Sequence, residues 1–214
     1  MATNDVLASC GLSDLVAGEP FGHDAEGRLI DPAGARVVFA TAQAARSLRR
    51  VLETEETGAW HATMKECGRD CGAKIAARID AVLAGLDKPV LTALPLEACL
   101  ALLEHLFAAH GWGRLQLDLA DAAEHGIVVA RLEHSFFVET LAEADGFADP
   151  VLAGILRGFF GHVSGQALDC EEIACARSGA PHCTFVLTAP ERLAAIAPLI
   201  GREDSEALLA RLRQ

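Results

Sequence analysis

The sequence predicts an α+β fold: N-terminal helices packed on a mostly antiparallel sheet, with further helices at the C-terminus. Three observations lead there. Apolar residues recur at three-and-four spacing through much of the first half. Alternating or short apolar runs, bounded by Gly, Pro and Asp, occupy 115–132 and 167–187. Helical periodicity returns after Pro190. Helices followed by clustered strands is an α+β order, not the strict alternation of a parallel sheet.

Residues 1–35 are rich in Gly, Asp and Pro and read as an irregular segment with at most one short helix. Thr41 to Glu56 is polar and helical, with Ala42, Ala45, Leu48 and Leu52 roughly on one face. Trp60, Met64, Cys67, Cys71, Ile75, Ile79, Val82 and Leu86 then form the apolar stripe expected of one long amphipathic helix, ended by Lys88-Pro89. Pro95 to Ala109 is a further helix, stopped by Gly111. Leu115, Leu117 and Leu119 alternate with Gln116 and Asp118 as in a half-buried strand. Glu124-His125-Gly126 turns into a second strand, Ile127 to Leu132. Pro150 to Gly165 reads as a helix whose Gly154 and Gly158 suit close packing on a neighbour. Ala167–Cys175 and Cys183–Leu187 read as a strand hairpin; Pro190–Ile200 and Ser205–Leu212 finish as helices.

Composition bounds the function. With 51% hydrophobic and 22% charged residues, 214 residues build a sizeable core. A net charge of −12 without a cationic cluster argues against nucleic acid as a partner, since phosphate binding needs grouped cations. Arg49-Arg50 sits among acids and reads as a solvated helix face. Seven scattered cysteines do not make a disulfide framework and fit a reducing compartment. No signal-peptide pattern and no apolar run of membrane-spanning length is evident, so a cytoplasmic location is expected. Nucleotide-binding glycine loops and the Gly-x-Ser-x-Gly elbow are missing.

The chemistry concentrates near the C-terminus. Glu172 and Cys175 are followed, across the turn-forming Arg177-Ser178-Gly179-Ala180-Pro181-His182, by Cys183. A hairpin there brings Cys175 and Cys183 face to face. Thiolate and carboxylate donors on one hairpin are what zinc takes in a closed four-coordinate site, with His182 as an extra candidate donor. The alternative is two buried apolar cysteines.

The run Asp149-Pro150-Val151-Leu152-Ala153-Gly154-Ile155-Leu156-Arg157-Gly158-Phe159-Phe160, then Gly165, then Glu172, Cys175, Pro181, Cys183 and Phe185, resembles the 4-vinyl reductase domain. That domain is named for bacteriochlorophyll biosynthesis and also serves as the sensor of phenol- and xylene-responsive activators. Gly111-Trp112-Gly113 and the two strands after it fit the same pattern. The resemblance spans about 95–190. It implies a division into 1–94, an N-terminal segment and helices of the same globule; 95–190, the 4-vinyl reductase-like domain; and 191–214, C-terminal helices. In the sensor members a Cys ahead of the helix, a Glu and two Cys bind structural zinc. Glu172, Cys175 and Cys183 match three of those positions, and Asp149 stands at the fourth.

Two of these assignments leave alternatives open. Asp149 before Pro150 reads first as an N-cap for the following helix, and a carboxylate with two oxygens can cap and ligate at once. Glu172 and Cys175 point to opposite faces of a regular strand, so joint ligation needs a bulge; Glu171 shares a face with Cys175 without one.

Elsewhere, Cys67 and Cys71 lie one helical turn apart and read as packed core thiols, with metal, heme and redox roles as alternatives. His110 reads as favouring a helix C-terminal dipole. His105, Trp112 and Phe136 are the candidate ligand-binding residues. The run His134-Ser135-Phe136-Phe137 reads as a strand end with core phenylalanines, or a lid over a pocket.

The expected function is a binding or carrier protein for a small hydrophobic, aromatic or tetrapyrrole molecule, carrying a structural zinc. The alternatives are a vinyl reductase component of bacteriochlorophyll synthesis, and an oligomeric scaffold resembling the D subunit of bacterial cellulose synthase. The length of the 60–86 stripe leads us to expect a homodimer with a helix of that region in the contact.

Overall fold

The computed structural model describes residues 3–31, 35–38, 40–55, 58–141 and 146–214. Among these, the N-terminal segment is more ordered than its composition suggests. Helix α1 (Thr3–Ser9) buries Leu7 and packs on α4 (Leu96–Ala109). Thr3 Oγ1 donates to Glu104 Oε2 on α4 at 2.9 Å. A two-stranded ribbon follows, β1 (Gly22–His23) with β2 (Leu29–Ile30). Helix α2 (Ala42–Glu55) then leads to α3 (Ala59–Gly85), 27 residues long.

The apolar stripe of α3 is buried only in part: Trp60 and Ile75 are in the core, but its middle is not. Cys67 and Cys71 are exposed, whereas Gly68 and Gly72 are buried. The packed-thiol reading is therefore corrected. The reason lies across the interface, where α7 (Pro150–Ser164) crosses α3 at backbone distance. A Cβ on Gly154 would collide with the carbonyl oxygen of Lys65, and one on Gly158 with that of Arg69. Reciprocally, Gly68 and Gly72 face the carbonyls of Val151 and Ile155. Four glycines let two helices meet main chain to main chain, which leaves the thiols of α3 outside.

The sheet orders as β3 (Arg114–Asp118), β4 (Val128–Glu133), β6 (Cys183–Thr188) and β5 (Asp169–Ala174), antiparallel throughout. Short helix α5 (Ala122–His125) turns β3 into β4, closed by Gly126 at φ 62°. Strand β6 is buried along its whole length because helices cover both faces of the sheet. Cys183, Phe185 and Leu187 join the main core with α4 and α7. Val186, with Ile173 and Val129, meets α8 (Pro190–Ile196) and α9 (Ser205–Leu212) through Leu193, Leu208 and Leu212. The α+β expectation holds, as helices plus an antiparallel sheet.

Residues after β4 depart from the expected strand end. Phe136–Thr140 is a short helix, α6, with Ser135 as its N-cap. The Ser135 hydroxyl accepts from Phe137 N and Val138 N at 3.2 and 3.3 Å. A Ser preceding an apolar run is an N-cap signal, and here it outweighed the β-forming phenylalanines.

Candidate functional site

Two places in the fold concentrate functional chemistry. The first is built where the N-terminus of α7 meets the β5–β6 hairpin. The 3₁₀ turn Ala176–Ser178 closes that hairpin, with Gly179 at φ 94°. It brings Cys183 Sγ within 3.9 Å of Cys175 Sγ. Strand β5 carries a bulge between Glu172 and Ala174. That irregularity is what lets Glu172 and Cys175 converge, since a regular strand would turn them apart. Single donor atoms of Glu172, Cys175 and Cys183 lie within 4.8 Å of one another, and all three residues are buried. Neither His182 nor Asp149 is among them. Glu171, the alternative carboxylate, is ion-paired with Lys65, whose ammonium also meets Asp169 Oδ1 at 3.0 Å.

Asp149 adjoins this cluster. Its side chain makes no capping hydrogen bond to α7, which corrects the cap reading. Instead its Oδ1 accepts from the Ser135 hydroxyl, and its backbone N–H donates to Glu172 Oε2 at 3.0 Å. Asp149 is 0% and Glu172 3% exposed. Each has one carboxylate oxygen tied to the protein. The other oxygens, Asp149 Oδ2 and Glu172 Oε1, are buried without a hydrogen-bond partner among the described residues.

The electrostatics follow from this crowding. Burial pushes Asp149 up to about 6 and raises Glu172 well above the usual carboxylate range. The Cys183 thiol donates to Cys175 and draws it down to about 5, while the same contact raises Cys183. Two buried carboxylates and two thiols cannot all ionise without a compensating cation. Glu172, Cys175 and Cys183 supply three converging donors of the kind zinc takes. Zn–S bonds of about 2.3 Å at a tetrahedral angle place two sulfurs about 3.8 Å apart, and these lie 3.9 Å apart.

The second place is a cavity of about 210 Å³ between the N-terminal segment, α3 and α4. Leu15 and Val16 roof it, Ile75, Ile79 and Val82 come from α3, and Leu102 and Leu106 from α4. Its polar and charged lining residues are His105 and His110 from α4, Arg78 from α3, and Asp14, Glu19 and Asp31 from the N-terminal segment, with Arg78 Nε 3.5 Å from Asp31 Oδ2 across the wall. Burial lowers the pKa of both imidazoles. His110 Nδ1 sits 2.9 Å from the Leu106 carbonyl. It thus meets the helix C-terminus as expected, but burial favours the neutral ring over the imidazolium that a dipole would stabilise.

Of the three candidate ligand residues, His105 lines this cavity. Trp112 and Phe136 do not. Trp112 lies behind the wall, its ring 4.5 Å from that of His110 and 5.2 Å from that of Phe107. Phe136 packs on Phe137 at 5.2 Å in α6. Sequence reasoning missed the roof and the α3 wall, because residues 14–31 carry no periodicity that marks them as a cover. It also missed Ser135, whose capping signal was present.

Residues 128–189 match the family model of the 4-vinyl reductase domain. The resemblance to that domain is thereby borne out for the stretch that carries the carboxylates and thiols. The cavity lies outside the matched stretch. Among solved structures, the chain is similar to the phenol-responsive sensory domain of the transcription activator PoxR with phenol. That likeness has a TM-score of 0.67 at 19% identity, covering 99% of this chain and 97% of that one. It is also similar to trafficking protein particle complex subunit 3 from Naegleria fowleri, covalently bound to palmitic acid. There the TM-score is 0.51 at 13% identity, over 69% of this chain and 91% of that one. A vinyl-4-reductase family protein from Methanocaldococcus jannaschii matches at a TM-score of 0.46 and 13% identity, over 73% of this chain and 85% of that one. At these identities the likeness is one of fold. The weaker resemblance to the cellulose synthase D subunit finds no support among these matches. Comparison with curated proteins finds no match. No helix among the described residues is long and apolar enough to cross a membrane.

Proposed function

We propose that this protein binds a small apolar molecule, of about the size of one aromatic ring, in the cavity between its N-terminal segment, α3 and α4. In the same proposal, a structural zinc held by Asp149, Glu172, Cys175 and Cys183 ties the hairpin to α7. The observation that carries the binding reading is the cavity itself. It is apolar over most of its wall, with a smaller number of polar groups in the lining, as ligand pockets are. At about 210 Å³ it exceeds the roughly 150 Å³ that accepts benzene and falls below the roughly 300–1,000 Å³ of pockets for drug-sized ligands. That size favours a single ring over a tetrapyrrole. Two proteins of similar fold are described with phenol and with palmitic acid, both largely apolar molecules. The absence of a dinucleotide-binding motif favours a binder over a reductase.

Burial supplies most of the affinity, at about 25 cal/mol per Å² of apolar surface. Calorimetric titration with a series of single-ring aromatics tests the reading. Saturable binding is expected from at least one of them, with thermal stabilisation that grows with ligand concentration. Failure of every member to bind would overturn it. The zinc half is tested by elemental analysis of the purified chain, where about one zinc per chain is expected from one four-ligand site.

A further inference from the structure

The zinc reading leaves one hydrogen bond at the centre unexplained. Asp149 stands at the entry to α7, where an Asp side chain ordinarily turns toward the backbone N–H groups of the first turn. Here it turns away and accepts from Ser135, fourteen residues earlier on the far side of α6.

Ser135 is 3% exposed and its hydroxyl is fully committed. Both lone pairs accept, from Phe137 N and Val138 N, so the proton has one direction left, toward Asp149 Oδ1. The orientation of the hydroxyl is thus dictated by the helix it caps. A proton fixed on Oδ1 leaves Oδ2 as the atom of Asp149 with no protein partner among the described residues. Glu172 is treated alike: the Asp149 N–H holds Oε2 and leaves Oε1 orphaned. Each carboxylate is prepared to offer one oxygen to an ion. Groups that orient metal ligands in this way typically alter metal affinity about 10–100-fold when removed.

We propose that Ser135 is a positioning residue of the metal centre, its hydroxyl presenting Asp149 as a ligand through Oδ2 while it caps α6. The inference rests on the zinc reading above.

The test is zinc competition against a chromophoric chelator in the full chain, comparing wild type with Ser135→Gly and Ser135→Thr. Glycine deletes the hydroxyl yet is tolerated at an N-cap at a cost of only a few tenths of a kcal/mol, so loss of the cap alone should not move zinc affinity. Ser135→Gly is expected to weaken zinc binding about 10–100-fold. Ser135→Thr, which keeps the hydroxyl, should stay within a few-fold of wild type. Cobalt(II) substitution adds a second readout: thiolate charge-transfer bands should persist in Ser135→Gly while the ligand-field bands shift, since the sulfurs stay and the oxygen donor is disturbed. Undiminished zinc affinity in Ser135→Gly overturns the inference and leaves the zinc reading standing. A wild-type chain that takes up no zinc overturns both.

Discussion

Asp149 and Glu172, 23 residues apart, are joined by a hydrogen bond from the Asp149 N–H to Glu172 Oε2 at 3.0 Å. That one contact docks the start of α7 onto β5. It also gathers two carboxylates beside the thiols of Cys175 and Cys183, where their mutual repulsion in a buried site must be offset.

Removal of the proposed zinc should therefore destabilise this corner of the molecule. Cys175→Ser or Cys183→Ser is expected to lose the zinc. Uncompensated buried charge of this kind costs about 3–5 kcal/mol. For a chain of this size a loss of about 3 kcal/mol lowers Tm by about 6–12 °C. Thermal unfolding with and without a chelator measures it. The substitutions should have little further effect once the metal has been stripped from wild type.

The crossing of α3 and α7 makes a sharper steric prediction. Gly154→Ala and Gly158→Ala each drive a methyl into a carbonyl of α3 and should cost at least about 1–3 kcal/mol, the usual penalty of overpacking. Gly161, on the same helix, has only the Gln166 carbonyl nearby, at 3.8 Å. Gly161→Ala should instead stabilise by about 0.4–1 kcal/mol, by reducing the entropy of the unfolded chain. Urea denaturation of the three variants would show the opposite signs.

Filling the cavity should separate binding from folding. Ala109→Phe places a ring at the end of α4, in the space proposed for the ligand. It should abolish aromatic binding while leaving Tm within a few degrees of wild type. Trp112→Ala removes the ring behind His110 and should weaken binding by loosening the wall. Equal affinity in Ala109→Phe would place the ligand elsewhere.

The imidazoles predict a pH dependence. Burial holds His105 and His110 below the ordinary 6.5. Asp31 opposes that shift at His110 and Arg78 adds to it. With the folded pKa depressed, the unfolded chain binds more protons as pH falls through about 6.5. The histidine contribution to stability is therefore complete above that value and declines as pH falls toward the folded pKa. Proton NMR titration should find both rings mostly neutral at pH 6.5, and replacing both with Gln should flatten the stability profile between about pH 5 and 7.

Much of this molecule could be read from local pattern. The order of the main helices and strands followed from periodicity and from the Gly and Pro punctuation, because those signals act within a few residues. The hairpin with Cys175 and Cys183 opposite one another was legible for the same reason. Tertiary structure decided which face of the middle of α3 is inside: Gly68 and Gly72 displace Cys67 and Cys71 only because a partner helix offers matching glycines at the right height, and sequence order does not state who the partner is. It decided Asp149, where local sequence favoured a cap and the Ser135 hydroxyl, brought in at the start of α6, turned the side chain away from α7. It also made the cavity, because an irregular segment becomes a wall only by lying across two helices. Short-range chemistry sets the elements, and the contacts between distant elements set which of their side chains are available for function.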